Sequence, residues 1–154
     1  MHPELDGHRK RLTELRGKVA LLQPYMKSGQ LTAVTPTNAA QFLEWSSAGY
    51  GVASLYYAWT LELYKKIDTQ LDFTRSIAFL DKAEDAIGGE GKKTAAAKTQ
   101  YVSKDPDVIL ALDMRAEAEA LTAFYKSKAQ EFRMNHEAIK KIAYADNYGT
   151  AGEL

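Results

Sequence analysis

Apolar positions recur along this chain at three- and four-residue steps and almost nowhere at two. The series Phe42, Trp45, Val52, Tyr56, Trp59, Leu63 and Ile67 advances by three, four or seven residues, then continues through Leu71, Ile77 and Leu80. That period lays the series on one face of an α-helix. Thr35 can cap this helix and Pro36 suits its first position, so the pattern predicts a helix over residues 36–87. Gly49-Tyr50-Gly51 lies inside it. Each interior glycine costs roughly 1 kcal/mol against alanine, and the pair marks a kink at 49–51 or a close helix contact.

A second stripe runs through Leu110, Met114, Ala118, Leu121, Tyr125, Ala129, Phe132, His136, Ile139 and Ala143. It follows Asp105-Pro106, another cap-plus-proline start, and predicts a C-terminal helix over 106–144. An N-terminal helix over 3–27 opens at Pro3 and is weakened near its end by Pro24. The strongest break is Gly88-Gly89-Glu90-Gly91, and Lys92 to Ser103 is rich in Ala and Lys without a clear apolar face. Residues 88–104 therefore read as a flexible basic connection, and residues 145–154 as a frayed tail.

The one strand candidate, Tyr101-Val102, is too short to build a sheet. The expected class is all-α, in a single domain over residues 1–154. An unbroken helix over 36–87 would span roughly 75 Å at ~1.5 Å per residue. A compact globule of this size is about 35–40 Å across. The expected architecture is thus an elongated helical hairpin or bundle whose uncovered stripes favour self-assembly, in a homo-oligomer larger than a dimer.

Composition narrows the chemistry. The absence of cysteine among 154 residues removes disulfides, thiolate nucleophiles and thiolate-bound metals, and fits a reducing compartment. No run approaches the ~18–20 apolar residues of a membrane span, and Met1 to Asp6 lacks the apolar core of a secretion signal. A cytoplasmic protein without membrane partners is expected. Gly88-Gly89-Glu90-Gly91-Lys92-Lys93-Thr94 imitates a phosphate loop but has Lys93 where Ser or Thr belongs and follows a helix. His136 is the lone internal imidazole, and Arg133 stands where a Glu-x-x-His metal site needs its carboxylate. No catalytic residue, metal ligand or cofactor is expected, and the chain reads as a non-enzyme.

Acidic and basic residues number 20 each, yet they are unevenly placed. Residues 8–18 carry Arg9, Lys10, Arg11, Arg16 and Lys18 against Glu14 alone. Lys92, Lys93, Lys98 and Lys104 share a stretch with no acid, and Tyr101 between the last two offers a stacking face. Basic residues interleaved with an aromatic suit single-stranded DNA.

Asp107-Val108, Leu121, Phe124 and the closing Ala138-Ile139-Lys140-x-Ile142 form a gapless pattern over residues 107–142. It resembles the C-terminal helix of the UvsY-type recombination mediators of T-even bacteriophages. Upstream, Lys65-Lys66 before Leu71-Asp72-Phe73, with Arg75 following, is similar to that family's basic helical run, with Thr74 in place of a second tyrosine. The resemblance implies an all-helical, ring-forming homo-oligomer without enzymatic activity. Such a protein binds single-stranded DNA, helps displace the single-strand-binding protein and loads a recombinase. It adds Lys65, Lys66 and Arg75 to the expected DNA contacts. With the overlong C-terminal stripe, it places Leu121, Phe124, Phe132, Ile139 and Ile142 at the subunit interface. The competing expectation is a helical phage assembly, scaffold or adaptor protein that binds no nucleic acid, in which the basic segments are solvated surface.

Overall fold

The computed structural model describes residues 2–87 and 94–151, with side chains to residue 145. The protein is all-α, and no strand occurs among the described residues. Helix α1 spans Pro3–Gly17 and passes into a 3₁₀ segment, Lys18–Gly29, with a short 3₁₀ turn at Leu31–Ala33. Helix α2 spans Ala39–Ile77, a π-type turn follows at Ala78–Lys82, and α3 covers Ala83–Ala86. Helices α4, Ala95–Val102, and α5, Pro106–Ala151, complete the chain.

Two of these elements differ instructively from the expected pattern. The N-terminal helix abandons α geometry after Gly17, and from there burial follows a three-residue period. Leu22 and Ser28 are buried while Val19 and Tyr25 are half-buried. A 3₁₀ helix has three residues per turn, so this spacing keeps one face inward where an α-helix would rotate it out. Helix α2, by contrast, passes Gly49–Gly51 without a break. A Cβ on Gly49 would lie 2.5 Å from the Phe132 ring, so this glycine serves a close helix contact and not a kink. Nothing lies within 4 Å of the corresponding point on Gly51.

Burial in α2 repeats at alternating steps of three and four: Ala39, Phe42, Ser46, Gly49, Ala53, Tyr56, Thr60, Leu63, Ile67, Gln70 and Thr74. In α5 the seven-residue series Ala111, Ala118, Tyr125, Phe132 and Ile139 is buried. Both are heptad seams of the coiled-coil kind, which let neighbouring helices interdigitate. The α2 seam holds small and polar residues at several positions, so apolar pattern alone shifts the expected face by one residue. Trp45 and Val52 are half-buried and Trp59 is exposed.

The chain divides into two compact units. Unit one, Met1–Glu14 with Thr60–Ala120, has a core of Leu5, Leu12, Leu63, Ile67, Leu71, Val108, Ala111 and Met114. Asp105, 2 % exposed, opens α5 by accepting from the backbone N–H groups of Asp107 and Val108. Lys82 binds both Asp105, at 3.1 Å, and Asp107, at 3.0 Å. Desolvation works to lower the ammonium pKa, but the hydrogen bonds to Asp107 and Asp105 outweigh it and hold Lys82 above its ordinary value. Unit two, Leu15–Trp59 with Leu121–Leu154, is built on Leu15, Leu22, Phe42, Tyr56, Tyr125, Phe132 and Ile139. Its Tyr125 hydroxyl donates to the Leu15 carbonyl at 2.7 Å. Thr35 and Asn38 cap each other before α2, each side chain accepting from the other's backbone N–H.

Candidate nucleic-acid interface

Seven of the eight expected contacts with DNA start as exposed-looking lysines or arginines in the sequence, but the structure gives them unequal freedom. Lys65 and Lys66 project from α2 beside α1. With Glu4, Gly7, His8, Glu62, Thr69 and Gln70 they line a groove of about 590 Å³. Lys66 is held by Glu62 at 2.9 Å, one turn earlier. The hydrogen bond from Lys66, with its charge, keeps the Glu62 carboxyl below the ordinary carboxylate range. Burial lowers the His8 pKa, Lys66 adds to that, and Glu4 opposes it. The imidazole is therefore neutral at neutral pH, and the groove's positive charge rests on its lysines.

Arg75 lies elsewhere in unit one, in a cleft of about 370 Å³ shared with Ser76, Phe79, Leu80, Thr99 and Val102. Its guanidinium is 3.8 Å from Asp72. The stretch expected to be a flexible connection carries α4, because the Thr94 hydroxyl accepts from the Ala97 N–H and starts a helical turn. Ala97, Lys98, Tyr101 and Val102 form its half-buried face. Lys98 is drawn into that face: it pairs with Glu84 at 2.6 Å, stands 5.5 Å from the centre of the Phe79 ring, and keeps 18 % of its side chain exposed. Lys104 is exposed. Lys92 and Lys93 lie outside the described residues.

The structure thus brings Arg75 beside α4 and sets Lys65 and Lys66 against α1. Among the described residues, Lys65 and Lys104 form no ion pair, whereas Lys66, Arg75 and Lys98 each have an acidic neighbour. No group of three or more His, Cys, Asp or Glu suited to a metal occurs among the described residues. No helix among them is long and apolar enough to cross a membrane.

The expected subunit-interface residues also divide. Phe132 is 1 % exposed and Ile139 fully buried within the chain itself, because both fall on the α5 heptad seam. Both belong to the core of the single chain. Leu121, Phe124 and Ile142 are half-buried. A surface that apolar periodicity missed lies on α2. From Trp45 to Leu61 the sequence has no charged residue, and Gly51, Leu55, Ala58 and Trp59 form an exposed face of that stretch. The signal was the missing charge, not an apolar stripe.

Comparison of the chain with protein-family models, with curated proteins and with solved structures returns no match.

Proposed function

We propose that this chain is a self-assembling, non-enzymatic protein that binds single-stranded DNA and helps load a recombinase onto it in the host cytoplasm. The observation that carries the reading is α5, one helix from Pro106 to Ala151 that runs unbroken through the whole segment resembling recombination mediators. On this reading the recombinase and the single-strand-binding protein are its partners. The uncharged face around Leu55 and Trp59 supports self-assembly, since exposed apolar surface of this kind is covered most simply by another copy. Lys65 and Lys104, which form no ion pair among the described residues, would each contribute a weak phosphate contact, and repetition around an oligomer turns weak contacts into avidity.

Fluorescence anisotropy with a labelled oligothymidine at low salt tests this. Binding should weaken steeply as salt rises, and Lys65→Ala with Lys104→Ala should reduce the logarithmic salt slope by about one unit per lost contact. Absence of binding, or binding indifferent to salt, would sink the reading. A second reading, an assembly or adaptor protein with no nucleic-acid role, is favoured by one observation. Lys66, Arg75 and Lys98 already have acidic neighbours within the chain, as solvated structural surface would. The same titration separates the two.

A further inference from the structure

Within unit two, Ser46, Ser47 and Tyr50 of α2 face Arg133 and His136 of α5 across a cleft of about 270 Å³. Each helix supplies residues three apart, so they stand on one face a turn from each other. Gly49 and Phe132, the pair whose close approach excludes a Cβ, lie next to them in sequence on the same two helices. The glycine contact therefore sets the width of the cleft.

The hydrogen bonds inside it are directional. Ser46 is fully buried, and its hydroxyl donates to the Leu43 carbonyl at 3.0 Å. A hydroxyl has one proton, so the 2.9 Å contact between Ser46 Oγ and His136 Nδ1 takes its proton from the ring. A serine activated for attack needs the opposite direction, with its own proton aimed at the imidazole. Ser46 is instead a positioning residue: it accepts the Nδ1–H hydrogen bond and so, in the neutral ring, leaves the lone pair on Nε2. Among the described residues, Arg133 has no carboxylate within ion-pair distance, and the Ser47 and Tyr50 hydroxyls have no hydrogen-bond partner. A guanidinium, two hydroxyls and an imidazole line one cleft without using one another.

We propose that this cleft binds a phosphomonoester. Arg133 supplies forked N–H donors to two phosphate oxygens, Ser47 and Tyr50 donate to the others, and His136 Nε2 accepts the proton of the monoanion's P–OH. A phosphodiester lacks that proton and cannot complete the set, so the ligand is a terminal phosphate. The cleft lies just below the usual range for ligand sites, about 300–1,000 Å³, and suits a head group more than a whole cofactor. This site stands on unit two and does not depend on the DNA-binding reading above.

Calorimetric titration of the full chain with inorganic phosphate and with thymidine 5′-monophosphate reads the site directly. In parallel, nitrogen-15 spectra of the histidine rings follow His136 Nε2. Saturable binding that shifts the His136 Nε2 resonance is expected, weakened about tenfold by Arg133→Gln and less by Ser47→Ala. Both substitutions fall on exposed helix positions and keep the fold. Oligothymidines with and without a 5′-phosphate distinguish the sources. Preference for the phosphorylated end over the mononucleotide assigns a strand terminus, and the reverse assigns a free nucleotide. Absence of saturable phosphate binding at millimolar concentration, or binding unchanged in Arg133→Gln, would overturn the proposal.

Discussion

In unit one the side-chain links that join one element to another are mainly ion pairs, whereas in unit two they are neutral hydrogen bonds. Lys82 joins Asp105 to Asp107 at the start of α5, Arg115 reaches Asp68 at 3.0 Å, and Lys98 reaches Glu84. Unit two has the Tyr125 hydroxyl on the Leu15 carbonyl, the Ser46 hydroxyl against His136, and an aromatic cluster in which Tyr56 lies 5.6 Å from Tyr125 and 5.4 Å from Trp59. The contrast teaches where each unit is vulnerable. Ionic links at the rim of unit one respond to salt, because partly solvated charges are screened. The neutral, close-packed seam of unit two responds to volume, because an interior at crystal-like density tolerates neither a hole nor an added atom.

The largest effects should follow from breaking the packing of unit two. Phe132→Ala removes a buried ring and should cost about 3–5 kcal/mol of stability, read from urea denaturation. Gly49→Ala adds a Cβ 2.5 Å from that ring and should cost about 1–3 kcal/mol. The double variant sharpens the point. With the ring gone, the new methyl enters empty space, so the two losses should combine to less than their sum. Simple additivity would show that Gly49 serves something other than the approach to Phe132.

Next in size is the ionic start of α5 in unit one. Asp105→Ala leaves the Asp107 and Val108 N–H groups without their side-chain acceptor and leaves Lys82 to Asp107 alone. Loss of the cap alone should cost about 0.5–2 kcal/mol. The part due to Lys82 should shrink as salt rises, whereas the cost of Phe132→Ala should hold. A salt-independent loss for Asp105→Ala would make the cap the whole of its effect and erase the contrast between units on this point.

The helical class was legible because apolar steps of three and four cover most of the chain and no strand pattern competes with them. The α5 seam was legible too, since Tyr125, Phe132 and Ile139 are large and apolar. The α2 seam was only half legible. Ser46, Gly49, Thr60, Gln70 and Thr74 are buried there, and no apolar pattern marks a buried serine or glycine. The apolar series therefore takes in Trp59, which lies 39 % exposed. The 3₁₀ segment was hidden for a related reason, because a three-residue burial period over so short a stretch resembles the α pattern. As for the candidate site, charge counting found the lysines but not their partners. Glu84 lies fourteen residues before Lys98, across the glycine-rich break, and only folding pairs them.

The remaining effects concern pH, and they fall in opposite windows for the two units. In unit two, burial pushes the Tyr125 phenol up to about 12, with a further rise from Tyr56. An unfolded tyrosine loses its proton near pH 10, so stability should fall between pH 10 and 12, where the folded phenol still holds its own. Tyr125→Phe should lose about 1 kcal/mol at neutral pH with its hydrogen bond, and should lack this tyrosine's share of the alkaline decline. In unit one, burial depresses the His8 pKa below its ordinary 6.5. As pH falls through 6.5 the unfolded chain takes up a proton that the folded imidazole refuses. Stability contributed by neutral His8 is thus present above that pH and is lost on acidification through the lowered folded value. Urea midpoints measured from neutral to mildly acidic pH should decline less steeply in His8→Gln than in the native chain. An equal decline would place the acid sensitivity in some other group and leave unit one with salt as its only distinguishing response.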